Sequence, residues 1–141
     1  MSYFLDINVL SERKRIKPDP SVLDWFAGKP ASTLYLSVLT LGELRKGIEK
    51  LADTKRRVVL NDWVETELLS FFVGRVLNID TQVADRWGQL TATTARPLPA
   101  IDSLLAATAL VHGLQLVTRN LRDFKDMGVQ VINPWADSIT S

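Results

Sequence analysis

Asp6 stands directly after the apolar run Tyr3-Phe4-Leu5, and Glu43, Asp102 and Asp123 recur later, each just after a segment that reads as a buried strand. The end of a strand is where an open α/β sheet builds its site. Four carboxylates gathered there repel one another unless something positive lies between them, and a divalent cation is the simplest candidate. Hard cations such as Mg²⁺ or Mn²⁺ prefer carboxylate oxygens and water. Phosphodiester cleavage needs an activated water, a neutralised phosphate and a stabilised leaving oxygen, and one or two ions held by carboxylates provide all three. In this reading Asp6 is held rigidly at a strand terminus, Glu43 reaches in on its longer arm, and Asp102 opens a buried helix. Asn120 and Asp123, just beyond a late strand, offer a neutral oxygen and an anion. Asn8 is placed to orient Asp6 or a water.

Each acid also has a plainer reading. Thr40 looks like a helix N-cap with Glu43 in capping-box register. Asp102 follows Pro97 and Pro99 as a natural helix cap, and Asp123 fits the cap of a short turn. The joint pattern is harder to explain structurally, and no lysines stand at matched positions to pair with the four acids.

The elements that must position these groups follow from the apolar pattern. Tyr3-Phe4-Leu5 and Leu34-Tyr35-Leu36 read as short strands, with further strands expected at Val76-Leu77, Leu114 to Val117 and Val129 to Ile132. Between them lie helical segments: a brief one through Val9 and Leu10, Ser21 to Ala27, the run from Thr40 through Leu51, Val58 to Phe72, a helix capped by Asp80, and an almost wholly apolar one from Asp102 to Val111. Gly113 ends the last of these. Alternating short strands and helices predict an α/β fold, a three-layer α/β/α sandwich around a central parallel sheet. The chain is expected to form one domain over residues 1–141, with a loose tail at about 134–141 that Trp135 could tack down.

Composition narrows the class. The 141 residues are 46% hydrophobic with a net charge of +1, so a packed core is available and disorder is not favoured. Cysteine is absent, which removes disulfides, thiolate zinc sites and a cysteine nucleophile. The longest apolar run is far short of the roughly 18 residues of a membrane span, and no tripartite leader opens the chain. A cytoplasmic protein is the expectation. The near-neutral total hides two basic clusters, Arg13-Lys14-Arg15 with Lys17, and Arg45, Lys46, Lys50 and Lys55 to Arg57. The lone His112 lacks the partners of a nucleophilic triad. Trp25, Phe26, Trp63, Phe71 and Phe72 recur at spacings that suit packing, with some available to an interface.

Four segments together resemble the PIN-domain ribonucleases of the VapC toxin family, in particular the FitB-like branch. They are Asp6-Ile7-Asn8-Val9-Leu10-Ser11-Glu12, Ser37 to Leu44 with Gly47, Pro99 to Ala109, and Leu116 to Phe124, in the family's order and over nearly the whole chain. The resemblance implies a Mg²⁺- or Mn²⁺-dependent endoribonuclease, the toxin half of a type II toxin–antitoxin pair. It places the metal on Asp6, Glu43 and Asp102, with the fourth position at Asn120 or Asp123. It further implies structured RNA substrates such as tRNA, a homodimer, and a small antitoxin that occludes the acidic pocket and carries the complex to operator DNA. Ile7 departs from the threonine usual after the first aspartate, and Asn120 stands where many PIN domains have aspartate. Arg119 beside the site is suited to a phosphate or to an ion pair with one of the carboxylates.

Other chemistries fit less well. A haloacid-dehalogenase-type phosphatase needs a second aspartate where Asn8 stands, and so lacks its proton donor. A receiver domain needs an acidic pair at the first strand end, and a dinucleotide fold needs a glycine-rich first turn. The remaining alternative is a PIN-like module that binds RNA or protein without catalysis.

Overall fold

The computed structural model describes residues 1–135. Five strands, β1 (Tyr3–Leu5), β2 (Leu34–Ser37), β3 (Val76–Leu77), β4 (Gln115–Val117) and β5 (Val131–Ile132), form one sheet in the order β3-β2-β1-β4-β5. Every neighbouring pair is parallel. The helices are α1 (Ile7–Glu12), α2 (Pro20–Ala27), α3 (Val38–Glu49), α4 (Thr54–Trp63), α5 (Leu69–Phe71), α6 (Thr81–Thr93) and α7 (Ala100–His112). A π-helical segment, Val64–Leu68, joins α4 to α5.

Period-two alternation along the strands explains the three layers. Leu5, Leu34, Leu36 and Val117 face one apolar cluster with Val9, Val22, Ile48 and Trp63 from α1 to α4. Phe4 and Leu116 face the other, with Leu90, Leu105, Ala106 and Ala109 from α6 and α7. The aromatics behave as packing residues. Phe26, Trp63 and Phe72 are buried in the first cluster, and Trp25 and Phe71 pack against it. His112 is exposed at the end of α7, where Gly113 stops the helix at φ 65°. That left-handed conformation suits glycine because it lacks a Cβ.

Because the strands are parallel, their C-terminal ends lie on one edge. β1 sits between β2 and β4, so the chain leaves the sheet toward opposite sides around it. A crevice forms at such a switch point.

Three expectations need correction. Helix α3 begins at Val38, and its N-cap is Ser37, whose hydroxyl accepts the Leu39 amide at 3.0 Å. Thr40 lies inside the helix, buried, with its hydroxyl unpartnered among the described residues. The strand runs into the helix without a loop, so the cap is the last strand residue, and Glu43 takes no part in a capping box. Asp102 does not follow a strand. After β3 come α6 and α7 packed on each other, and Asp102 lies in the first turn of α7, whose cap position is Pro99. The third correction concerns the basic groups, since Lys46 stands one helical turn beyond Glu43 and lowers its pKa. Trp135 is buried; the expected tail lies, from residue 136 onward, outside the described residues.

Candidate active site

Asp6 sits where β1 meets α1. Its amide donates to the Val117 carbonyl at 2.9 Å, continuing the ladder between β1 and β4. One carboxylate oxygen, Oδ1, accepts the Ile7 amide at 2.8 Å and so caps α1. The other, Oδ2, accepts the hydroxyl of Thr118 at 2.8 Å. That hydroxyl in turn accepts the side-chain amide of Asn8 at 3.1 Å and the backbone amide of Asn120 at 3.1 Å. A hydroxyl has one proton to give and two lone pairs to offer, so this fully buried Thr118 is saturated. The Oδ1 of Asn8 accepts the Arg119 amide at 3.4 Å. The Arg119 guanidinium lies 5.4 Å from the centre of the Trp135 ring.

Sequence reasoning passes over Thr118, which reads only as the residue that closes a strand. Its hydroxyl meets Asp6 across 112 positions of chain. The available signal is register. Leu5 pairs with Val117, so the residues that follow them face each other at the edge.

Electrostatics show which acids the fold brings together. Burial raises the pKa of Asp6, the Thr118 and Ile7 hydrogen bonds pull it back, and the charge of Asp123 pushes it up again. Burial also raises Glu43, and the charges of Asp6 and Asp102 add to this. Asp102 is pushed from 3.8 up to about 6 by burial, then by Asp123 and Asp6. Asp6 and Asp102 therefore feel Asp123, and Glu43 feels Asp6 and Asp102, which places the four carboxylates at the same edge. Asp123 lies in the single 3-10 turn Leu121–Phe124 after β4. Asn120 precedes that turn and joins the site through its backbone amide. Thr40 makes no contact with the acids through its hydroxyl.

Helix α7 is locked in rotation by Ser103. Its hydroxyl accepts the Trp87 indole N–H at 2.9 Å and lies 2.7 Å from the Pro99 carbonyl, to which it donates. This ties α6 to the first turn of α7 and fixes the direction in which Asp102 projects.

No group of three His, Cys, Asp or Glu among the described residues is arranged to hold a metal ion as the side chains stand. The chemistry of the donor set nevertheless suits a hard cation, because every charged donor is a carboxylate oxygen. Among the described residues no hydrogen bond or ion pair engages the carboxylates of Glu43, Asp102 or Asp123. Helix capping does not account for them either. Mutual repulsion without a structural partner is the condition a bound cation relieves.

The PIN domain family matches residues 3–130. The VapC ribonuclease Y4jK of Sinorhizobium fredii is 37% identical over 134 residues, covering 93% of this chain and 96% of that protein. The crystal structure of FitAcB from Neisseria gonorrhoeae superposes with a TM-score of 0.89 at 36% identity, over 95% of this chain and 99% of the other. DNA-bound VapBC from Salmonella typhimurium matches with a TM-score of 0.73 at 30% identity, over 95% and 98%. The chain belongs to the PIN-domain family. Within it, the chain falls with the VapC toxins, in their FitB-like branch.

Proposed function

We propose that this chain is a divalent-metal-dependent endoribonuclease, the toxin of a type II toxin–antitoxin pair. The observation that carries this reading is the edge where neighbouring carboxylates raise the pKa of Asp6, Glu43 and Asp102, of which only Asp6 has a helix-capping and hydrogen-bonding duty. Asp6, Glu43 and Asp102 would hold Mg²⁺ or Mn²⁺. Asp123 is the better fourth group than Asn120, because its charge reaches Asp6 and Asp102. A bound cation supplies charge neutralisation at the phosphate and lowers the pKa of water. The protein's part is positioning. Thr118 and the Ile7 amide hold Asp6 in one orientation, Asn8 braces Thr118, and Ser103 sets α7 so that Asp102 faces the same edge.

The likeness to FitAcB and to DNA-bound VapBC supports an antitoxin partner and contact with DNA in its company; a homodimeric toxin, and an antitoxin that covers the acidic edge, complete the same reading. Structured RNA, tRNA included, is the substrate class this implies. Among the described residues no helix is long and apolar enough to cross a membrane. A module that binds without cleaving has less support, since the acids its chemistry would not need are all retained at one edge.

RNA cleavage by the full chain in Mg²⁺ tests the reading. Asp6→Asn should slow cleavage on the order of 100-fold or more while the circular dichroism spectrum is kept. Equal rates in parent and variant, or cleavage indifferent to chelator, would contradict it.

A further inference from the structure

Glu43 borders a second feature. A groove of about 580 Å³ runs beside the acidic edge, with apolar lining that includes Ile7, Leu39 and Ile101. Its size is that of a cleft for a small ligand (~300–1,000 Å³). Helix α3 turns one face to it, carrying Gly42, Glu43, Lys46 and Gly47, with Lys50 at its C-cap. Those positions follow the three-to-four-residue repeat of a single helical face.

The two lysines stand apart from most of the basic groups around them. Arg13 stacks on Phe26 at 4.4 Å and Lys14 lies 3.9 Å from Glu67. Arg45 is engaged by Asn61 and Glu65, and Arg56 by the Lys14 carbonyl. Among the described residues no ion pair or hydrogen bond engages the ammonium group of Lys46 or Lys50, and both are exposed. One turn of helix separates them by about 6 Å along the axis, close to the spacing of successive phosphates in an extended strand.

The glycines point the same way. Each sits inside a helix, where glycine is less stable than alanine. A Cβ at Gly42 or Gly47 would meet nothing within 4 Å. Packing therefore does not demand either glycine. What they do is leave the groove wide where it meets Glu43.

We propose that this groove seats the single-stranded stretch of RNA leading into the cleaved phosphodiester, with Lys46 and Lys50 on successive phosphates and a base against Leu39 and Ile101. Single-stranded nucleic acid is bound in this manner, by cations along the backbone and apolar contact with the bases. Two exposed cations beside an apolar lining, Lys46 also one turn from Glu43 of the acidic edge, complement a polyanion with flat apolar bases. The proposal rests on the ribonuclease reading above.

The test is binding of a fluorescent single-stranded RNA oligonucleotide to the full chain in chelator, where cleavage is suppressed, over a range of salt. The Lys46→Gln/Lys50→Gln variant should bind about tenfold more weakly, and its salt slope should fall by about 1.4, or ~0.7 for each phosphate no longer neutralised. Gly47→Leu should also lose affinity while melting no lower than the parent, since leucine is the better helix former. If the parent cleaves RNA in Mg²⁺ and both variants bind with parental affinity and slope, the groove belongs to a protein partner, and the proposal is overturned while the nuclease reading stands. A parent that neither binds nor cleaves RNA overturns both.

Discussion

The Thr118 hydroxyl spends all its hydrogen-bonding capacity on Asp6, Asn8 and the Asn120 amide. Thr118→Val keeps the shape and removes those bonds, leaving a buried carboxylate oxygen short of a donor. Urea denaturation should show a loss of about 1–3 kcal/mol, and cleavage should fall about 10–100-fold, as for groups that orient a metal ligand. Unchanged stability and rate would make the bond to Asp6 incidental. Asp102 gives a second test at this scale. Its folded-state pKa of about 6 lies above its ordinary 3.8. Folding therefore favours the protonated form. That contribution is full below about pH 4 and is lost as pH rises through about 6. In metal-free protein the melting temperature should decline over this window more in the parent than in Asp102→Asn. The difference should be small, because a half-exposed group is screened by water. Identical pH profiles would show that neither burial nor the neighbouring acids raise the pKa of Asp102. The acids are legible in the sequence because charge beside an apolar run is conspicuous. Thr118 is not, since a neutral hydroxyl gains its role only from a partner across the sheet.

Among the elements, α3 brings Glu43 to the site, and its start is the hardest to read from sequence. Thr40 has the right spacing to Glu43 for a capping box, and the strand pattern is read only through Leu36, which leaves Ser37 to Leu39 unassigned. The chain instead turns directly from β2 into the helix at Ser37. Ser37→Ala should cost about 1 kcal/mol in thermal or urea melts. Thr40→Val should cost nothing or stabilise, because it removes a buried hydroxyl without a partner. The reverse ranking would restore Thr40 as the cap. The correction matters for function. It frees Glu43 from a structural duty and places it on the second turn of α3, on the helix face that borders the groove. The deep burial of α7 is legible from its composition, but its partner is not. An apolar helix does not reveal what it packs on, and here it is α6, joined through Trp87 and Ser103.

At the scale of the whole molecule, a net charge of +1 conceals a division of labour. Four carboxylates occupy one edge of the sheet, and two exposed lysines, Lys46 on α3 and Lys50 at its C-cap, flank them. The alternation of strands and helices is enough to foresee three layers and a parallel sheet. Strand order is not foreseen, because strands of two to four residues carry too little sequence to specify neighbours. That order decides everything about the site. With β1 between β2 and β4, Asp6, α3 and the Thr118 turn share one crevice, and α7 brings Asp102 to it from the far end of the α6–α7 pair.

Calorimetric titration of Mn²⁺ into the full chain, with Asp102→Asn alongside, tests that convergence most directly. The account predicts that the parent binds the ion and that the variant binds at least about tenfold more weakly, because one of the carboxylates that together make the edge electronegative has been neutralised. Equal affinity in the two proteins, or no binding by the parent, would contradict a shared site.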